Sequence, residues 1–134
     1  MTDKDSLKAE EWFRRAKIDL EDATLLIRQG GHFDTIAFLM QQWLEKYLKG
    51  FLLLHGWKLQ KIHDLRALLN ETKKYGYNFD QFAPLCRKLS QLYVESRYPL
   101  GEARSLSREE VLRISSQAEK LVKSLASKID RSND

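Results

Sequence analysis

From Phe33 to Leu54 the apolar residues recur at steps of three and four. Ile36, Met40, Trp43, Tyr47 and Phe51 form one stripe, and Ala37, Leu44, Leu48 and Leu52 widen it. Beyond Asp34 and Thr35 in the first turn, only Gln41, Gln42, Glu45, Lys46 and Lys49 remain polar within that run. A helix so apolar must be nearly surrounded, and the rest of the chain is expected to pack around it. Its narrow polar strip, Gln42, Glu45, Lys46 and Lys49, then meets either solvent or a partner surface.

The flanking patterns are also helical. Phe13, Ala16, Leu20, Ala23 and Ile27 share one face of a helix predicted over 7–28, with Arg14, Arg15, Asp19 and Asp22 elsewhere. Trp12 and Leu26 sit off the centre of that stripe, placed to contact a neighbour or a second subunit. Gly30 and Gly31 end this helix, because glycine reaches the left-handed conformation that helix termini favour. The central helix follows at once, which demands a tight antiparallel hairpin. His55 to Asp64 then breaks the pattern, as a loop longer than bundle geometry requires.

A short helix begins near Asp64, with Leu65, Leu68, Leu69 and Tyr75 facing inward and His63 or Asp64 as its cap. The stretch 75–80 reads as a turn, with Gly76 and Asn78 as breakers. The next helix carries Phe82, Leu85, Leu89, Leu92 and Tyr93 on one side, and Pro84 places its start close to Asp80. Pro99 ends it by disfavouring helical geometry at Tyr98. The last helix has the sharpest start in the chain, with Ser107 as N-cap, Glu110 as its capping-box partner, and Leu106 and Val111 as a hydrophobic staple. Val111, Ile114, Ala118, Leu121, Leu125 and Ile129 make its buried stripe, and the tail 131–134 is expected to fray. No segment alternates as a strand would. The pattern therefore predicts an all-α, up-and-down bundle of four long helices plus one short helix, as a single domain over 1–134.

Composition narrows the function more than the fold. With 134 residues, 43% hydrophobic and 31% charged, the chain can bury one core unaided, and no apolar run nears the roughly 20 residues of a membrane span. The polar, acidic start lacks a secretory signal, so a cytoplasmic protein with no membrane association is expected. A single cysteine, Cys86, rules out an internal disulfide and a cysteine-rich zinc site, and its apolar spacing reads as core. The net charge of +4 is mild, but between Lys46 and Lys74 seven basic residues face two acids. Such a local excess is either a solvated basic face or an attraction for an anionic ligand.

Glycine-rich phosphate loops, paired metal-binding histidines, di-iron Glu-x-x-His pairs and a nucleophile-elbow serine are all missing from the sequence. No catalytic residue, metal or cofactor is assigned. Three clusters could bind a ligand. The strip Gln42, Glu45, Lys46 and Lys49 is one, with a solvated i,i+4 ion pair as the plain alternative. His63 with Asp64 at a helix start is another, the alternative being simple capping. Tyr93, Arg97, Tyr98 and Pro99 are the third. Arginine suits bidentate phosphate binding and tyrosine can stack on a base, but Arg97 could equally satisfy carbonyls at a helix end.

The ordered set AEEWFRRAKIDLEDATLLI, GHFDTIAFLMQQWLEKYLKGFLLLHG, HDL and SRYP resembles the HEPN family of small helical domains. The resemblance implies a helical bundle, commonly a homodimer, often encoded beside a minimal nucleotidyltransferase. Many HEPN members are metal-independent ribonucleases whose signature is an Arg followed, after four to six intervening residues, by a His. Here only three residues lie between Arg28 and His32, the windows 48–50 and 56–58 before His55 and His63 hold no arginine, and no histidine follows Arg97. What fits is the nucleotide-binding or nucleotidyltransferase-associated branch, in a toxin–antitoxin-like pair. On that reading Arg97 and Lys46 contact phosphates, Tyr93 or Tyr98 lines the base or ribose, and His63, Gln42 and Glu45 add polar contacts. RNA in place of a nucleotide is the other ligand this reading allows, and a degenerate ribonuclease using Arg97, His63 and Tyr98 is the enzymatic alternative. A purely structural dimer, burying Trp12 or Trp57, is the third.

Overall fold

The computed structural model describes residues 3–97 and 106–132. Five helices follow one another: α1 (Asp3–Gln29), α2 (Phe33–Leu54), α3 (Leu65–Glu71), α4 (Ala83–Arg97) and α5 (Arg108–Ser132). Two short 3-10 turns, Thr72–Tyr75 and Asp80–Phe82, separate α3 from α4, and the described residues contain no strand. The molecule is an all-α, up-and-down bundle of four long helices and one short one.

α2 touches each of the other four helices, as its all-round apolar pattern requires. Leu44, Leu48, Phe51 and Leu52 are wholly buried on it, each contributing about 1.5–3 kcal/mol of transfer free energy. α1 lies along one side. Gly30 adopts φ 71°, in the left-handed region, and turns the chain into the hairpin. Further along, Gly50 lets the helices approach closely: a Cβ there would lie 2.7 Å from a ring carbon of Phe13.

The boundaries follow local chemistry. The Asp64 carboxylate caps α3 by accepting from the Arg66 N–H at 2.8 Å. Asn78 accepts from the Asp80 N–H at 2.9 Å, closing the turn before α4. Ser107 and Glu110 form the reciprocal box, Glu110 N–H donating to Ser107 Oγ at 3.1 Å and Ser107 N–H to the Glu110 carboxylate at 3.3 Å. Leu106 and Val111 are both buried beside it.

Three expectations shift. α1 starts at Asp3, four residues before the expected Leu7, and acidic residues such as Asp3 and Asp5 suit the positive N-terminal end of a helix. α4 begins at Ala83, with Pro84 in its first turn and a 3-10 turn taking the place of the expected start near Asp80. α5 stays helical to Ser132, through half of the tail expected to fray. Tyr98 and Pro99 lie outside the described residues, as does the rest of the loop before Leu106.

Candidate functional site

The polar strip of α2 is an interior network. Glu45 and Lys49 are one turn apart, their side chains only 6% and 4% exposed, with Lys49 Nζ donating to Glu45 Oε2 at 3.0 Å. The solvated ion pair that the spacing also allowed is therefore corrected: α1 and the loop before α3 cover this pair. From α1, the Trp12 ring stands 5.2 Å from Lys49 Nζ, so the ammonium exchanges water for an aromatic face. The residue that the apolar stripe left off-centre has found this partner.

Glu45 is the hub of the network. Gln41 Nε2 donates to its Oε1 at 3.1 Å, and His63 Nδ1 donates to Oε2 at 3.0 Å. The same Gln41 amide nitrogen donates to the His63 carbonyl at 3.1 Å, tying α2 to the residue before the α3 cap. Gln42 Nε2 completes the chain by donating to Gln41 Oε1 at 2.7 Å. Every strong donor here has an acceptor, which burial of such groups demands. Gln41, absent from the candidate residues in the sequence, holds His63 in place. Its i,i+4 spacing from Glu45 was the available signal.

The His63 side chain is the network's outlet, 70% exposed. A carboxylate oxygen accepts only, so Nδ1 carries the proton and Nε2 faces outward. His55, by contrast, spends both nitrogens inside: Nδ1 donates to the Phe51 carbonyl at 2.8 Å, and Nε2 accepts from the Tyr77 hydroxyl at 3.0 Å. His32 is exposed at the N-cap of α2 and makes no capping bond with its side chain.

The remaining candidates are distributed around this centre. Lys46 pairs with Asp19 of α1 at 2.7 Å, half-buried between the two helices. Tyr93 of α4 stacks on Phe38 of α2, with ring centroids 5.5 Å apart and planes 15° from parallel. Phe38 and Glu45 are seven residues apart, which places them on one face of α2 and about 10 Å apart along its axis. Asp64 serves as a cap and lines a separate polar groove with Arg66, Lys73 and Asp80. Arg97 ends α4 one turn beyond Tyr93, and its side chain, like Tyr98, is outside the description.

Cys86 is wholly buried, and desolvation, reinforced by the charge of Asp64, pushes its thiol up to about 12. It is an inert core residue. Among the described residues no three His, Cys, Asp or Glu side chains gather as a metal site would require. None of the described helices is long and apolar enough to cross a membrane.

A family model of the HEPN domain matches residues 9–129. The chain belongs to the HEPN family. Two solved structures resemble it in fold. One is TT1696 from Thermus thermophilus, at TM-score 0.77 and 23% identity over 90% of this chain and 98% of that one. The other is ST0689, an archaeal HEPN homologue, at TM-score 0.72 and 24% identity over 90% and 97%. At such identities the likeness speaks for the HEPN fold and not for a shared activity. No curated protein matches this sequence.

Proposed function

We propose that this HEPN protein is a nucleotide-binding module that works as a homodimer with a nucleotidyltransferase, in a toxin–antitoxin-like pair. The observation that carries the reading is His63, exposed on its outer edge and braced from beneath by the Glu45–Lys49 network. A protonated imidazole at that point donates from Nε2 to a phosphate oxygen without leaving Glu45. Tyr93 and Phe38, about 10 Å along the same face of α2, offer aromatic surface for a base. Arg97, one turn beyond Tyr93, adds a guanidinium suited to phosphate. Lys46 and Lys49 act indirectly, since each already holds a carboxylate.

A calorimetric titration with ATP, other nucleotides and short RNA tests this. Saturable binding that is lost in folded Arg97→Ala and His63→Ala variants supports it. No binding to the folded wild-type protein removes it, and leaves the bundle as a dimerisation module.

The same geometry favours a second reading. A histidine oriented by a carboxylate with its other nitrogen free is the arrangement of a general base. A degenerate, metal-independent ribonuclease would use His63 in that role, with Arg97 and Tyr98. It requires RNA turnover in the presence of chelator, abolished in His63→Ala; intact RNA after long incubation excludes it.

A further inference from the structure

An open groove lies away from His63, between the start of α4 and the middle of α5, with a volume of about 650 Å³. Phe82 and Leu85 form its floor, Pro84 one shoulder, and Lys120, Lys123 and Gln117 of α5 the opposite wall. Phe82 and Leu85 are nearly buried, so the floor belongs to the core, while both lysines are exposed.

The charges here are unbalanced. None of the residues lining the groove carries a carboxylate, and among the described residues neither lysine makes an ion pair. The positive end of the α4 dipole adds to the same potential. The smaller polar groove of about 420 Å³ beside α3 provides the contrast: there Arg66 and Lys73 are matched by Asp64 and Asp80, and Lys73 is bound to Asp80 at 3.0 Å. That groove is self-neutralised; the larger one is not.

We propose that the α4–α5 groove binds an amphiphilic organic anion, a small molecule with an apolar or aromatic body and one carboxylate or sulfonate. The body rests on Phe82 and Leu85 against Pro84, and the anionic head lies between Lys120 and Lys123. These lysines are three residues apart and therefore neighbours on the surface of α5. A volume of this size accommodates a ligand of that kind, and an apolar floor with a few polar groups at one rim is the usual composition of such sites. The reading is independent of the nucleotide site at His63.

Anilinonaphthalene sulfonate is the probe, because its fluorescence reports transfer onto an apolar surface and its sulfonate supplies the charge. The full chain is expected to bind it saturably at one site, with displacement by octanoate and none by neutral octanol. Lys120→Glu combined with Lys123→Glu is expected to weaken binding by roughly tenfold or more. Lys58→Glu combined with Lys61→Glu, the same charge change on the loop before α3, is expected to leave it unchanged. Both variants alter exposed side chains, and circular dichroism confirms their fold. Equal weakening by the two variants, displacement by octanol as readily as by octanoate, or no saturable binding by the wild-type chain overturns the proposal.

Discussion

Two lysines one turn apart on α2 differ in their relation to water. Lys49 is buried under Trp12 and bound to Glu45, which Gln41 and His63 also hold. Lys46, half-buried, reaches the half-buried Asp19 of α1. A third ion-pair group, Glu11 with Arg14 and Arg15, is exposed on the outer face of α1. In water the exposed group gains little, because solvent screens it and ordering long side chains costs entropy. Buried charges are different: each depends on its partner to offset desolvation. Burial, more than distance, sets what these pairs contribute.

The sharpest way to break this ordering is Glu45→Ala. It strands a buried ammonium and frees His63 at once, so a loss of about 3–5 kcal/mol is expected in urea unfolding. Lys49→Met should cost less, since Gln41 and His63 still serve Glu45. Gly50→Ala, which leaves every charge in place, separates packing from electrostatics. Its new methyl meets the Phe13 ring, and overpacking of about 1–3 kcal/mol is expected, read as a lower thermal midpoint.

Lys46→Ala should cost about 1 kcal/mol or less, and raising the salt concentration should shrink that difference. The smallest effect belongs to Glu11. Hydrogen bonds from Arg14 and then Arg15 lower its carboxyl from 4.5 to about 2. A folded-state value below the unfolded one means stability that is present above the ordinary carboxylate range and lost as pH falls through about 2. Because the group is exposed and screened by solvent, that contribution is small, so Glu11→Gln should lower stability near neutral pH only slightly and slightly flatten its decline in acid. Were Glu11→Gln as damaging as Glu45→Ala, the ranking by burial would fail.

The sequence carried most of the architecture because periodicity and caps are local. α2 has the predicted ends, the loop over 55–64 lies where Gly56 put it, and Ser107 with Glu110 marks the start of α5. The network was legible only in part. Glu45 and Lys49 were visible as an i,i+4 pair, but their burial depends on Trp12, thirty-three residues before Glu45, and on His63, eighteen residues after it. Gln41 was one more polar residue of α2 outside the named strip, because nothing local says that its amide meets the His63 carbonyl. Likewise the sequence offered three histidines, and only tertiary contacts separate His55, closed between Phe51 and Tyr77, from His63, open at one nitrogen.

The central claim is that His63 is the exposed end of a buried network and the point where a nucleotide meets it. A two-bond proton–nitrogen NMR spectrum of the three imidazoles, recorded with the rings neutral and again with ATP, tests it directly. The expected result is the Nδ1–H tautomer for both His55 and His63, with ATP moving the His63 Nε2 resonance and leaving that of His55 in place. A His63 ring protonated at Nε2, or one unmoved by saturating ATP, would contradict the account.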